Sequence, residues 1–165
     1  MTKIGAVQTP GDRWISAWWV ANPASGTTIS FTGGTFWRSF SFYYTGAKQT
    51  SQPDSFNTGT STNSTVISVA TTVVASDCWL IMCQKDSVGG ETYTPSDSLA
   101  SMRANADAGG LAIADSNTTV ATGSRTGTLT GSNATAEHGG IVFSIAPPAV
   151  VAAAYRRRML TGIGS

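Results

Sequence analysis

His138 is the sole histidine of this sequence, so any Ser-His-Asp or Cys-His catalytic arrangement must pass through it. Asp77, Cys78 and Cys83 are companions to it in composition alone, because no Gly-x-Ser-x-Gly elbow or other nucleophile motif surrounds them. Gly139-Gly140 follows directly, which predicts that His138 sits in a surface turn. The acids Asp54, Asp86, Glu91, Asp97, Asp107, Asp115 and Glu137 are dispersed, without the carboxylate ladder of a calcium loop or a spacing that signals a glycosidase pair. They read as solvated loop residues. No Cys/His spacing suits zinc, and Gly123-Ser124-Arg125-Thr126-Gly127 lacks the Lys-Ser/Thr ending of a phosphate loop. The sequence therefore predicts no catalytic residue, no metal and no cofactor, and a protein that is not an enzyme.

Binding chemistry is better represented. Trp14, Trp18, Trp19, Trp37, Tyr43 and Tyr44 gather in the first third of the chain, and Trp37 and Tyr43 fall on the more polar face of their run. Large aromatics dominate packing and interface energies, so Trp14, Trp18, Trp37 and Tyr43 are candidates to meet a neighbouring subunit, with sugar stacking on Trp37 and Tyr43 as the second possibility. Near the other end, Tyr155, Arg156, Arg157 and Arg158 followed by Met159-Leu160 combine charge and apolar surface. This is the pattern of a docking tail for an acidic neighbour. Nucleic acid or anionic lipid is a weaker reading, since three arginines alone give little affinity at physiological salt.

These residues must be positioned by a framework poor in charge. Only 12% of the 165 residues are charged and 41% are apolar, which leaves hydroxyls and backbone to solvate the surface and excludes a disordered tail. The formal net charge is +1; without the arginine triplet it becomes about −2, so the body carries no nucleic-acid footprint. Cys78 and Cys83 lie an odd number of residues apart in the most apolar run, which puts them on opposite faces of a strand and excludes a disulfide between them. Free buried thiols suit a reducing cytoplasm.

Short β-branched and aromatic runs recur between Gly, Pro and Asn turns. Trp14 to Ala21 reads as a strand buried on both faces, Thr27 to Thr32 and Phe36 to Thr45 as alternating strands, and Gly46 to Ser64 as a long surface excursion. Val66 to Val74 resumes a strand, and Cys78 to Cys83 is the central one. Leu99 to Ala106 is a helical turn or irregular strand, Leu111 to Ala114, Thr118 to Thr122 and Thr126 to Thr130 are weak strands, and Gly140 to Ala146 is the last clear one. Ala149 to Leu160 has the composition of a short helix. The expected fold is an all-β antiparallel β-sandwich, jelly-roll or Ig-like, with a short C-terminal helical or extended tail. Its divisions are an N-terminal arm at 1–13, the sandwich at 14–146 and the docking tail at 147–165.

The succession Trp19-Val20-Ala21-Asn22-Pro23-Ala24-Ser25-Gly26-Thr27-Thr28-Ile29, then Tyr43-Tyr44-Thr45-Gly46-Ala47-Lys48-Gln49, Pro53-Asp54 and Trp79-Leu80-Ile81-Met82, resembles a family of β-sandwich proteins met in phage genomes and in bacterial surface proteins. The resemblance spans residues 14 to 146 and rests on turn and core signatures, which speak to fold more than to function. Longer members carry strands ahead of the first one here, and such a missing strand would leave an edge for a partner to cover. The resemblance implies a non-enzymatic phage virion protein, most directly a capsid decoration or accessory protein, with a tail or fibre accessory protein or a carbohydrate-binding module for receptor recognition as alternatives. Its partners would be other virion proteins and copies of itself, with a surface glycan as a further candidate and no membrane. With no secretory signal pattern at residues 1–10, the expected location is the virion, assembled in the host cytoplasm.

Overall fold

The computed structural model describes residues 1–23, 28, 30, 39–41, 43–105 and 110–148. Among these residues ten strands form three antiparallel sheets: a hairpin of β1 (Thr2–Gln8) and β2 (Trp14–Trp19), a five-stranded sheet and a three-stranded sheet. The remaining strands are β3 (Ser55–Ser61), β4 (Val66–Val73), β5 (Trp79–Asp86), β6 (Thr94–Asp97), β7 (Ser101–Ala104), β8 (Leu111–Asp115), β9 (Gly123–Thr130) and β10 (His138–Ile145). The order is β3-β10-β5-β8-β7 in the larger sheet and β4-β9-β6 in the smaller. Among the described residues there is no helix.

The pairings reveal how the chain winds. β3 pairs with β10, β4 with β9 and β5 with β8, all antiparallel. The chain thus runs out through β3 to β6 and returns through β7 to β10 as one long antiparallel ribbon. That ribbon is rolled so that its pairs fall alternately in the two sheets, which is the winding of a jelly roll. The outer ends of the ribbon depart from the pattern: β6 lies against β9 and β7 against β8, each in its own sheet.

Burial follows from the layering. β4 alternates strictly, with Ile67, Val69, Thr71 and Val73 turned inward and Ser68, Ala70 and Thr72 outward, as a strand with one wet face must. β10 is buried at every position and β5 at nearly every one, because the five-stranded sheet is covered on both faces. On one side Leu80, Met82, Ala114 and Val142 pack on Ile67, Val69, Val73 and Leu129 of the smaller sheet. On the other, Ile81, Cys83, Ile113, Ile141 and Phe143 pack on Ile4, Ile15 and Ala17 of the hairpin. Each Val, Leu, Ile, Phe or Met side chain among these contributes about 1.5–3 kcal/mol by leaving water.

Several expectations are corrected here. The N-terminal arm is no arm: residues 2–8 form β1, paired with β2 from Thr2↔Trp19 to Gln8↔Trp14, so a strand precedes Trp14. β2 is buried on one face only, its pattern alternating between exposed and buried along Trp14–Trp18, because the hairpin is the outermost layer. The excursion from Gly46 to Ser64 contains β3, where Ser, Thr and Gly pair along an edge of the five-stranded sheet instead of crossing the surface. Residues 39–41 and 43–45 take no strand pairing. Within Leu99 to Ala106, Ser101–Ala104 forms β7 and Ala106 lies outside the described residues, and Thr118 to Thr122 supplies a single bridge, Val120 to Cys78. Gly139-Gly140 is not a turn but the middle of the stack. A Cβ on Gly139 would press on Val7 and Thr9, and one on Gly140 on Ile67 and Met82, so glycine is required where two layers approach one strand from opposite sides. The predicted helix at Ala149 to Leu160 and most of Thr27 to Thr32 lie outside the described residues.

Candidate interaction surface

The hairpin turn is written in Thr9-Pro10-Gly11-Asp12-Arg13. Thr9 donates its amide to the Arg13 carbonyl at 2.7 Å and Asp12 donates its own to the Thr9 carbonyl at 3.2 Å, while Asp12 adopts a φ of 60°, a conformation Asp tolerates better than most residues. Gln8 Nε2 donates to Asp12 Oδ1 at 2.8 Å. This closure sets the register that sends Ile15 and Ala17 into the core and Trp14, Ser16 and Trp18 outward.

Trp14 and Trp18 are 66% and 43% exposed although they are the side chains that gain most from burial. Both stand on the outer face of β2, separated by Ser16. Trp18 Nε1 donates to Ser16 Oγ at 3.0 Å, which fixes the indole across the strand, and Lys3 Nζ lies 5.8 Å from the ring centroid, within the range of a cation–π contact. Across the hairpin Lys3 pairs with Trp18, Ala6 with Ser16 and Gln8 with Trp14. The face is therefore two indoles with small side chains between them and polar groups at the margin.

The other predicted partner residues are distributed differently. Tyr43 is 84% exposed, on the stretch before the 47–54 loop, while its neighbour Tyr44 turns inward, stacks obliquely on Trp79 at 5.2 Å and donates its hydroxyl to Asp115 at 2.7 Å. Trp37, Tyr155, Arg156, Arg157 and Arg158 lie outside the described residues. Lys3 and the hairpin turn were missed by the sequence reading; the signal was Pro10-Gly11-Asp12 between two short apolar runs, the spacing of a hairpin.

No protein-family model, curated protein or solved structure matches the chain. The functional reading rests on the chemistry of its surfaces and interior.

The interior overturns two expectations about titratable groups. His138 has no solvent exposure; its Nε2 lies 2.8 Å from the Ser64 carbonyl and its Nδ1 3.3 Å from Gln84 Oε1, and its ring stands edge-on to Tyr93 at 6.0 Å. It ties β10 and β5 to the turn before β4 and is not a surface turn residue. Nor are all the acids solvated: Asp86, Asp115 and Glu91 are buried. Asp86 accepts from the Val88 and Gly89 amides and from the Tyr93 hydroxyl. Asp115 accepts from Tyr44, from Arg103 Nε at 2.6 Å and from the Asn117 amide. Asp54 gathers the Val74 and Ala75 amides and the Ser144 hydroxyl, joining the start of β3 to the end of β4. Glu91 receives the Ser132 amide at 2.9 Å. Short loops between rolled strands leave amides and hydroxyls stranded inside, and carboxylates satisfy them.

These environments suppress reactivity. Burial pushes the Cys83 thiol up to about 12, and burial with the Asp54 carboxylate pushes Cys78 up to about 11. Both are free and buried, one in each core layer, so neither is a thiolate nucleophile at neutral pH. Burial, then the bond to Asp86, raises Tyr93; burial, then Asp115, raises Tyr44. Among the described residues no group of three or more His, Cys, Asp or Glu side chains could hold a metal ion. An open groove of about 390 Å³ runs along the β3 and β4 edges past Phe56, Asn57 and Thr71. There Asn57 Nδ2 donates to the Ala70 carbonyl, and at the far end of β3 Ser61 Oγ donates to the Val66 carbonyl, covering acceptors that an open edge would offer to another strand.

Proposed function

We propose that the chain is a non-enzymatic structural protein of a phage particle, a capsid decoration or accessory protein that joins other virion proteins and copies of itself. Its working surface is the outer face of the β1–β2 hairpin. The observation that carries this reading is the exposure of Trp14 and Trp18 on a layer whose opposite face packs on the core: large apolar side chains left in water are what a partner surface would cover. The jelly-roll winding agrees, since it is a frequent solution for capsid and lectin domains. Buried histidine, protonated thiols and carboxylates committed to backbone amides leave the interior a scaffold role. Mass spectrometry of particles purified from a culture that encodes this chain should find it in fixed ratio to the major capsid protein. Its absence from such particles would overturn the assignment.

A further inference from the structure

We infer that the outer face of the hairpin is the contact between two copies of this chain, packed face to face about a twofold axis with their β2 strands antiparallel. The inference rests on the reading of that face as a partner surface and names the partner. A twofold contact uses one patch twice, so each group must find its match on the same patch. Trp14 and Trp18 stand on the exposed side of β2, four residues and about 13 Å apart along an extended strand. Midway between them Ser16 lies opposite Ala6, a low floor with an indole at either end. With the axis through that floor, Trp14 of each copy meets Trp18 of the other, and two aromatic pairs form where each copy alone leaves both indoles in water.

Charge sets the direction. At the Trp18 end Lys3 lies over the indole, its Nζ 5.8 Å from the ring centroid. At the other end Gln8, opposite Trp14 in register, holds the Asp12 carboxylate at 2.8 Å, and the Glu137 carboxylate fills the space beside Gly11 in the same turn. Arg13 acts on the covered side, on Lys85 of the sheet beneath, whose ammonium is lowered first by burial and then by the Arg13 charge. The exposed face is therefore positive at one end and negative at the other, and among the described residues the ion pair, Arg103 with Asp115, lies elsewhere in the fold. Antiparallel packing sets Lys3 of each copy over Gln8 and Asp12 of the other, two matches of opposite charge. Parallel packing would instead turn the two carboxylate ends toward each other. Two strands of six or seven residues offer a face about 20 Å by 10 Å. That is well under the area of a standard interface, so the isolated pair is weak and its formation concentration-dependent.

Sedimentation velocity of the full chain from about 1 μM to about 1 mM tests this. Monomer should give way to dimer, with tryptophan emission moving to shorter wavelength as the indoles leave water, and Trp14→Ala should weaken the dimer about tenfold. Ser16→Glu changes an exposed position and keeps an acceptor for Trp18. Lying on the axis, the new carboxylate faces its own copy, so this variant should stay monomeric while its melting temperature holds. Lys3→Glu and Asp12→Lys should each be monomeric alone, and an equimolar mixture should recover dimer, because mixed pairs place opposite charges together at both ends. A wild-type chain that stays monomeric throughout, including one that binds only a different protein through this face, would overturn the inference. So would an assembly that survives Ser16→Glu, or well-folded charge variants that gain nothing on mixing. Mass spectrometry of purified particles decides the virion reading independently.

Discussion

The Tyr93 hydroxyl donates to Asp86 Oδ2 at 2.6 Å in the interior, where Asp86 has no exposure and Tyr93 is 2% exposed. The same carboxylate holds the Val88 and Gly89 amides and closes against Gly110, where it fills the space a Cβ would need and where a φ of 67° also favours glycine. One side chain thus fixes the exit from β5, the approach to β6 and the entry to β8.

Replacement of Asp86 should therefore be among the most damaging single changes. Asp86→Ala strands three donors and is expected to cost about 3 kcal/mol or more, whereas Tyr93→Phe, which leaves two amide bonds in place, should cost about 1.5–3 kcal/mol. Urea unfolding of the two variants measures both values. A loss below 1 kcal/mol for Asp86→Ala would show that the carboxylate is not the organising group.

Asp115 offers an internal comparison. Its carboxylate is 1% exposed while Arg103 is 40% exposed, so the ion pair itself is partly screened. Arg103→Met is expected to cost about 1 kcal/mol, and Asp115→Ala about 3 kcal/mol because Tyr44 and the Asn117 amide lose their acceptor as well. Equal losses in the two variants would assign the stabilisation to the ion pair alone.

Alkaline pH should destabilise the fold. Cys83 at about 12, Cys78 at about 11 and the raised Tyr44 and Tyr93 all hold their protons more tightly folded than unfolded. Their stabilisation is complete below the ordinary thiol and phenol values and is lost as pH rises toward the folded ones. Lys85 is shifted downward by burial and has the opposite sign, recovering stability as it deprotonates. Four groups outweigh one, so the melting temperature should fall from about pH 9 upward. Neither thiol should react with a thiol reagent at neutral pH until the chain unfolds, and prompt modification of both would contradict their burial.

Gly140 tests the three-layer packing. A Cβ there would lie 2.9 Å from Ile67 Cδ1 and from Met82 Cε, both side-chain ends that can give way in part. Gly140→Ala should cost about 1–3 kcal/mol and Gly140→Val more. By contrast Trp18→Ala, on the outer face, should change stability by less than about 1 kcal/mol. Thermal unfolding of the pair distinguishes a core position from a surface one.

The sequence by itself determined the class of fold and the strand-rich character of the chain. β4 was legible because its apolar residues alternate, and β5 because an unbroken apolar run has to be buried on both sides. Cys78 and Cys83 were legible as free thiols because odd spacing sends them to opposite faces. Period and composition are local properties, and they act within one strand. What the tertiary structure decided is everything that depends on which strand lies over which. β3 looked like a loop because its Ser, Thr and Gly residues gain their order from pairing with β10; β1 looked like an arm because only β2 and the sheet beneath make it a strand. Gly139-Gly140 carried a turn signal and became a close approach between layers on both sides of β10, and His138 and Asp86 went inside because strand ends there left polar groups that water could not reach. Trp14 and Trp18 could be read as candidates for a partner, but their common exposure depends on the hairpin being the outermost layer, which no local pattern encodes.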